Sequence, residues 1–531
     1  MKKTSLPVVL LVLALCLLTL AACDGLNGGE TTKEHICSFG EWAIIREATC
    51  TKMGEQERAC ACGEKETQNI DALGHNYESI VTEPTATKNG LVVHTCSECG
   101  DSYNEVIKPI DFTVNSRNRT KIGYTGEMGE QLIIPDVFCD DDGIWYRVTG
   151  IYDRAFEDCS NLTSITIPDG VTSIDDRAFE ECSALTSVIF GENSQLKSIG
   201  DYVFKECSAL TSVIFGENSQ LKSIGDYAFE ECSALTSVIF GENSKLTSIG
   251  SDAFSGCSGL TSITIPDGVT SIGQYAFYGC IGVIQIENGM SYVDKWIIDC
   301  DTDITQAVLR EGTVGIGGGA FWGCESLPSI TIPNGMTSIG DSAFANCDNL
   351  TSVVFEENSQ LTSIGYFAFD GCSSLTSIVI PDGVRIIDGY TFYGCSSLTS
   401  VAFGESSQLA NIGSHAFSGC SSLTSITIPD SVEIIAHYVF DGCSSLTSVA
   451  CGENSQLIFI GDYAFIGCSS LASITIPDSV TGIGHYAFND CSNLTTVYYM
   501  GSEEEWAEII IGWDNPYLTN ATIVYNYVPE E

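Results

Sequence analysis

Cysteines before residue 110 are the residues of this chain whose types and spacing best suggest chemistry. Four thiolates can bind a zinc ion tetrahedrally, and four cysteines follow one another closely here: Cys37, Cys50, Cys60 and Cys62. A structural zinc site at these four residues is therefore an alternative. Disulfide bonds are the favoured interpretation, because Cys60 and Cys62 are separated by a single residue and form a poor chelate loop.

A second cysteine pattern follows the first. Cys96 and Cys99 form a Cys-x-x-Cys turn that resembles half of a zinc site, and His75 and His94 are possible further ligands. Residues 35–110 therefore divide into two small Cys-rich modules, which meet at Gly74 and His75. No other cofactor is predicted for the chain.

A repeated phrase dominates the sequence after these modules. It consists of Ala-Phe, two residues, Cys, two residues, Leu, and then an alternating apolar stretch, and successive copies lie mostly 23 or 25 residues apart. Such a period indicates a leucine-rich-repeat solenoid, in which each coil packs only on its neighbours. The anchoring phenylalanines are Phe156, Phe179, Phe204, Phe229, Phe254, Phe277, Phe321, Phe344, Phe369, Phe392, Phe417, Phe440, Phe465 and Phe488.

The spacing within one repeat predicts its local structure. The alternation from Ile165 to Ile167 is typical of a short strand with one buried face. The interval of three residues from Phe179 to Cys182 favours a short helical or 3₁₀ turn on the opposite side. The predicted class is therefore an α+β repeat, with strands on the concave face and helical turns on the convex side.

The repeat resembles that of the BspA-like leucine-rich-repeat family, as the stretch from Ile339 to Leu350 illustrates (IGDSAFANCDNL). The resemblance covers roughly residues 111–531. It implies a curved solenoid and a bacterial surface protein, since some members of the family adhere to host or matrix proteins.

The repeats are expected to fill residues 153–496, with irregular coils or a cap over 111–152 and a C-terminal cap over 497–531. One interval of 44 residues, between Phe277 and Phe321, predicts a degenerate coil at about 281–320 whose core is filled by Trp296 and Ile297. The fourteen repeat cysteines form one inward column. Coils stack about 4.8 Å apart, which suits free, buried thiols better than disulfides.

The N-terminus has the pattern of an export signal. Two lysines precede an apolar run that is too short for a stable membrane span, so residues 1–22 are interpreted as a signal peptide. Leu20-Ala21-Ala22-Cys23 resembles the bacterial lipobox, which implies lipidation of Cys23. Residues 23–34 would then be a flexible tether, and the protein would be exported and lipid-anchored at the cell surface. The anchor is the one membrane contact expected.

Charge and missing motifs restrict the function. The formal net charge of −47 repels nucleic-acid phosphates, so no nucleic-acid partner is expected. The sequence has no Gly-x-Ser-x-Gly elbow, His-Glu-x-x-His motif or phosphate-binding glycine loop, which argues against an enzyme.

An extracellular protein or glycan ligand is therefore predicted, bound by outward strand residues. The function predicted is adhesin-like binding, and capture of glycans or peptides for nutrient uptake is the alternative. The candidate ligand-binding residues are Ser187, Ile189, Ser212, Ile214, Ser237, Ile239, Val354 and Val379.

Overall fold

The computed structural model describes residues 38–82, 90–107, 112–115, 118–124, 130–139 and 145–529. The chain forms two compact units, Met1–Pro109 and Ile110–Glu531. The predicted signal peptide and tether, together with Cys23 and Cys37, lie outside the described residues. In the part of the chain that is described, no helix is both long and apolar enough to cross a membrane.

The first unit contains two antiparallel sheets of three strands, one in each Cys-rich segment. The strands are Ala43–Arg46, Gly54–Ala59 and Lys65–Ile70 in the first sheet, and Tyr77–Thr82, Gly90–Cys96 and Ser102–Ile107 in the second. Large apolar side chains on these strands, such as Ile44 and Ile80, are more than half exposed. This unit therefore has little hydrophobic core in its described part.

The second unit is a curved repeat solenoid built mostly of parallel strands. One side, here named the long-strand face, has strands that mostly begin at a serine and pair in register, so that Ser212 lies opposite Ser237 and Ile214 opposite Ile239. Its three sheets comprise Gln131–Ile133, Ser164–Ile167, Ser187–Phe190, Ser212–Ile214, Ser237–Ile239 and Ser262–Ile263; then Ser329–Ile332, Ser352–Phe355, Ser377–Ile380 and Ser400–Phe403; then Ser425–Ile428, Ser448–Cys451, Ser473–Ile476, Thr496–Tyr499 and Thr522–Val524.

A second side, the short-strand face, consists mainly of two-residue strands. Its eight-stranded sheet comprises Phe112–Asn115, Asn118–Tyr124, Gly150–Ile151, Ser173–Ile174, Ser198–Ile199, Ser223–Ile224, Ser248–Ile249 and Ser271–Ile272. Its twelve-stranded sheet comprises Gln285–Glu287, Met290–Val293, Trp296–Cys300, Gly315–Ile316, Ser338–Ile339, Ser363–Ile364, Ile386–Ile387, Asn411–Ile412, Ile434–Ile435, Phe459–Ile460, Gly482–Ile483 and Ile510–Ile511. A separate hairpin pairs Val137–Cys139 with Trp145–Arg147.

The core runs along the axis of the solenoid as ladders of identical side chains. Ile165 and Ile167 are fully buried, whereas Thr166 between them is not, as the predicted alternation requires. The anchoring phenylalanines stack from coil to coil, and the rings of Phe179 and Phe204 are 5.3 Å apart and nearly parallel. Each coil thus completes the apolar environment of its neighbours, because no single coil can enclose its own phenylalanine.

The side that carries the Ala-Phe phrase is not helical, so the predicted helical turns and the α+β class are wrong. The described part of the chain has α-helix only after the repeats, at Glu503–Glu508 and Pro516–Thr519. The reason is visible in the backbone, whose amides donate to the next coil: Arg177 to Asp201 at 2.8 Å, Phe179 to Val203 at 2.9 Å and Glu181 to Lys205 at 2.8 Å. Arg177 and Glu181 also have left-handed φ angles of 57° and 59°, which interrupt any helix.

The predicted degenerate coil is a short antiparallel meander. Gln285–Glu287, Met290–Val293 and Trp296–Cys300 pair antiparallel before the last of them joins the parallel stack beside Gly315. Trp296 and Ile297 are buried, which confirms that they fill the core. They belong to two different clusters, however, because Trp296 packs with the coils before the meander and Ile297 with those after it.

The end of the solenoid is covered by an apolar cap. Ser502 begins the helix Glu503–Glu508 with a capping box, in which its hydroxyl accepts from the Glu505 amide at 3.2 Å. Tyr499 and Leu518 are buried, and the indole of Trp506 lies 5.1 Å from the Tyr499 ring. These side chains replace the coil that would otherwise follow.

The acidic composition affects stability through buried carboxylates. Burial and the neighbouring Asp341 raise the pKa of Asp388 to about 6. The folded chain therefore binds this proton more tightly than the unfolded chain, whose aspartates titrate near about 3.9. The contribution of Asp388 to stability is consequently present below about pH 4 and is lost as the pH rises through about 6.

We predict that Asp388→Asn stabilises the solenoid at pH 7.5 by on the order of 1 kcal/mol and has little effect at pH 4. This free energy is smaller than the full pKa shift corresponds to, because Asp388 is only half-buried and solvent screens its charge. Urea unfolding of the wild type and the variant at both pH values measures the difference. Equal effects at the two pH values would contradict the assignment, because a buried charge can destabilise the fold only where it is ionised.

Candidate functional site

The outward side chains of the long-strand face include a row of isoleucines. Ile189, Ile214 and Ile239 occupy the same position in three successive coils, and 51%, 56% and 49% of their side chains are exposed. Thr166, one coil earlier, pairs with Ile189, so the apolar row has a hydroxyl neighbour. Ser187, Ser212 and Ser237 precede them and are partly buried. The structure therefore brings together the six residues predicted for this part of the site.

The two remaining predicted residues lie in the second half of the solenoid. Val354 and Val379 are 50% and 60% exposed and stand on adjacent strands, which pair through Ser352 and Ser377. They belong to a different sheet from the isoleucine row. The long-strand face thus carries two separate apolar patches rather than one continuous stripe.

A third apolar patch, which the sequence did not reveal, surrounds the meander. Tyr278, Ile281 and Ile286 are 65%, 78% and 75% exposed, and they line a shallow pocket together with Tyr275 and Ile284. The repeat pattern gives no signal for this patch, because it arises where the pattern fails. The departure of residues 281–286 from the repeat was the one available indication.

Aromatic rings also stack on the turn side, at the left-handed position two residues before the anchoring phenylalanine. Six rings follow one another at 4.5 to 4.9 Å: Phe367, Tyr390, His415, Tyr438, Tyr463 and Tyr486. His415 is stacked between two tyrosines, and burial lowers its pKa.

Acidic residues form another column on the turn side of the earlier coils. Asp158, Glu181, Glu206 and Glu231 line a groove with interleaved serines. A hydrogen bond with the Asp158 carboxyl raises the pKa of Glu181, as expected for carboxylates brought together by stacking. The apolar isoleucine row and this acidic groove are thus distinct surfaces of the same coils.

Four potential metal ligands converge in the first unit. The ligand atoms of Cys50, His75, Cys96 and Cys99 all lie within 4.8 Å of one another. Burial opposes ionisation of Cys96, but hydrogen bonds from the Glu98 backbone amide and from His75 lower the pKa of its thiol to about 6. Hydrogen bonding with Cys99, followed by burial, raises the pKa of Cys50 to about 12.

Of the four cysteines considered as one zinc site in the first module, only Cys50 belongs to this cluster. Cys37 lies outside the described residues, and the cluster includes neither Cys60 nor Cys62. Of the two candidate histidines, His75 is a member. His94 instead lies on the second sheet, where its Nδ1 is 2.7 Å from the Ser79 hydroxyl.

Comparison with known proteins identifies the repeats. The profile of the BspA type leucine rich repeat region, present in six copies, matches residues 149–284, 247–362, 298–410 and 362–495. The chain belongs to the BspA-type leucine-rich repeat family. Leucine-rich repeat proteins generally bind proteins or other ligands, usually without catalysis, and BspA-type members are typically bacterial cell-surface proteins.

Several solved structures are similar to this BspA-type chain. A leucine-rich repeat protein from Bacteroides ovatus is 27% identical, covers 80% of this chain and 100% of its own, and has a TM-score of 0.30. A leucine rich cell surface protein from Faecalibacterium prausnitzii is 26% identical, covers 75% of this chain and 95% of its own, and has a TM-score of 0.28. The pneumococcal vaccine antigen PcpA is 18% identical, covers 85% of this chain and 99% of its own, and has a TM-score of 0.28. No curated protein matches the chain significantly.

The BspA-type repeat cysteines are buried, as predicted, except that Cys159 in the first repeat is partly exposed. Twelve of the fourteen thiols donate to the phenylalanine carbonyl of the preceding coil, and the Sγ of Cys182, for example, is 3.1 Å from the Phe156 oxygen. Cys159 and Cys324 donate instead to the carbonyls of Glu157 and Asp301. Burial also raises the pKa of the Cys491 thiol to about 12. These thiols have a structural partner and little thiolate, so they are poor nucleophiles.

We predict that the repeat cysteines are reduced in the folded protein. Alkylation of the native chain should leave Cys182 to Cys491 unmodified, whereas denaturation without reductant should expose them to full modification. Mass spectrometry of the two samples measures this. If the repeat peptides became reactive only after reductant was added, disulfides would be present and the predicted redox state would be wrong.

Proposed function

We propose that this chain is a non-enzymatic, adhesin-like binding protein, which presents its BspA-type solenoid to an extracellular protein or glycan. The observation that carries the proposal is the exposed row of Ile189, Ile214 and Ile239. A contiguous apolar row rimmed by hydroxyls is typical of an interaction surface, whereas singly scattered apolar residues are not.

The net charge of the chain restricts the kind of partner that it can bind. The chain carries 69 acidic and 22 basic residues, so an anionic partner would be repelled at long range. The isoleucine row itself is flanked by serine and threonine, which are neutral hydrogen-bonding groups. A neutral or basic protein surface, or an uncharged glycan, therefore fits this face best.

The binding experiment uses the whole chain immobilised on a biosensor. Extracellular-matrix proteins and an array of neutral and sialylated glycans are passed over it, together with bovine albumin as a nonspecific control. We expect saturable binding of at least one matrix protein or neutral glycan. Saturable binding restricted to strongly anionic glycans, or no saturable binding at all, would count against the proposal.

We also propose that the chain is held at the cell surface through a lipid on Cys23, because Leu20-Ala21-Ala22-Cys23 has the lipobox pattern. Metabolic labelling with an alkyne-tagged fatty acid should mark the wild-type protein and leave Cys23→Ala unmarked. The Cys16→Ala variant is the matched control, since Cys16 lies within the predicted signal peptide. Equal labelling of wild type and Cys23→Ala would refute the anchor.

A further inference from the structure

We infer that Cys50, His75, Cys96 and Cys99 form a structural zinc site that joins the two Cys-rich segments of the first unit. Cys50 comes from the first segment and the Cys96 and Cys99 pair from the second, while His75 lies at their junction. This inference stands independently of the proposed binding function.

The spacing of the ligand atoms fits a tetrahedral zinc ion. With Zn–S bonds of about 2.3 Å, two sulfurs of a tetrahedron lie about 3.8 Å apart. The Sγ atoms of Cys50 and Cys96 are 3.7 Å apart. A sulfur and a nitrogen of the same tetrahedron lie about 3.5 Å apart, and Cys99 Sγ is 3.4 Å from His75 Nδ1. A disulfide would require a sulfur separation of about 2.05 Å.

The ligand types of the cluster favour zinc over other metal ions. Three thiols and one imidazole form a Cys₃His set, which zinc binds in closed structural sites, whereas calcium and magnesium require oxygen ligands. Four protein ligands also leave no position for a substrate. Three thiols, moreover, cannot all be paired in disulfides among themselves.

Backbone hydrogen bonds hold the ligands in place without the ion. The Cys96 amide donates to the Asp101 carbonyl at 2.7 Å, and the Gly100 amide donates to the Cys96 carbonyl at 2.9 Å. The resulting turn keeps Cys96 and Cys99 side by side, and Gly100 permits it with a φ of 72°. The Gly74 amide donates to the Cys50 carbonyl at 3.1 Å, which places Cys50 next to His75.

The histidine ring is oriented from its other side. His75 Nδ1 faces Cys99, while its Nε2 lies 3.7 Å from the Asp101 carboxylate. The Tyr77 hydroxyl donates to the same carboxylate at 3.2 Å, and its ring stacks on His75 with centroids 5.1 Å apart. A carboxylate behind a zinc-bound histidine is the usual outer support of such ligands.

The described part of the first unit has little apolar core. Among its described residues, the buried apolar side chains are those of Cys50, Cys60 and Cys96 alone. Small units without an apolar core depend on metal ions or disulfides for their fold. A zinc ion at Cys50 and Cys96 would supply what the core does not.

The test measures metal content in the whole chain, purified anaerobically with a thiol reductant. Zinc is determined by mass spectrometry of the metal, and cobalt exchange reports tetrahedral thiolate coordination by its visible absorption. Cys99→Ser and His75→Gln remove ligands. Cys62→Ser is the matched control, because it removes an exposed thiol of the same unit that lies outside the cluster.

We expect the wild type and Cys62→Ser to retain zinc and the tetrahedral cobalt spectrum, and Cys99→Ser and His75→Gln to bind zinc at least ~10-fold more weakly. Loss of zinc in Cys62→Ser with retention in Cys99→Ser would overturn the site in favour of the other cysteines. An intact mass that shows disulfides in the zinc-free wild type would overturn it as well.

A measurement on the wild type covers the case in which a variant fails to fold. Alkylation of Cys50, Cys96 and Cys99 should accelerate at least ~10-fold when a zinc chelator is added, because bound thiolates are shielded. Cys62 should react at the same rate with and without the chelator. Chelator-independent alkylation of all four cysteines would contradict the inference.

Discussion

Replacement of Trp296 by alanine is expected to split the unfolding of the solenoid into two transitions. Trp296 is 1% exposed and belongs to the apolar cluster of the earlier coils. Its ring also covers the backbone of Gly315 in the next coil, where a Cβ added to the glycine would lie 2.3 Å from Cζ3 of the indole. The indole therefore contacts the coils on both sides of the meander.

The expected loss of stability follows from the cavity that Trp296→Ala leaves in the core. Removal of a buried tryptophan side chain typically costs about 3–5 kcal/mol. Repeat proteins behave as chains of coils coupled through their interfaces, so a loss concentrated at one interface uncouples the segments on either side of it. Calorimetry should show one transition in the wild type, and two in Trp296→Ala, the first at a lower temperature.

Trp322→Ala is the matched control for this prediction. Trp322 lies in the first coil after the meander, but it is 48% exposed. Its replacement should keep a single transition and lower the free energy of unfolding by under about 1 kcal/mol. Equal destabilisation by the two variants, or a single transition in Trp296→Ala, would show that the meander does not couple the two cores through this side chain.

The solenoid itself was predictable from the sequence, because its core is a repeated local pattern. The interval of 23 or 25 residues places Phe179 over Phe204, and the alternation at Ile165 and Ile167 gives the strand its buried face. These features depend on contacts between equivalent residues of adjacent coils. Periodicity reports such contacts directly.

The turn side was predicted wrongly, because spacing alone does not distinguish a helical turn from a stacked turn. The interval of three residues from Phe179 to Cys182 is compatible with both kinds of turn. The outcome is decided by where the backbone amides donate, and the amides of Arg177 and Phe179 donate to the next coil. Hydrogen bonds between coils are a property of the stack, so one repeat considered by itself does not show them.

The candidate sites were likewise predicted in part. Exposure of Ile189 follows from the alternation within its strand, and was predicted. The proximity of Cys50 to Cys96 was not predicted. The two residues belong to different segments, and the sequence intervals suggested that each segment keeps its own cysteines together. Likewise, the exposed patch at Tyr278 and Ile281 arises from an irregular meander, for which no repeat gives a template.

The second large effect is expected on binding. We predict that Ile189→Thr, Ile214→Thr and Ile239→Thr combined weaken the affinity for the identified ligand roughly tenfold to a hundredfold, since an apolar anchor at an interface typically contributes more than about 1 kcal/mol. Threonine keeps the β-branched shape and already occupies the equivalent position at Thr166. The fold should therefore lose less than about 2 kcal/mol in total.

A second triple variant provides the matched control. Ile386, Ile434 and Ile458 are 44%, 40% and 46% exposed, and they lie on or beside the short-strand face, away from the isoleucine row. Their replacement by threonine removes the same number of methyl-bearing groups from the surface of the same solenoid. A ligand that recognises the long-strand face should bind this variant as it binds the wild type.

Titration of the ligand against the wild type and the two triple variants, with a thermal melt of each, measures whether the long-strand face is the binding surface. We expect all three proteins to melt as folded proteins, and only the variant of Ile189, Ile214 and Ile239 to bind the ligand weakly. Unchanged affinity in that variant, with its melt also unchanged, would contradict the claim that the long-strand face is the binding surface.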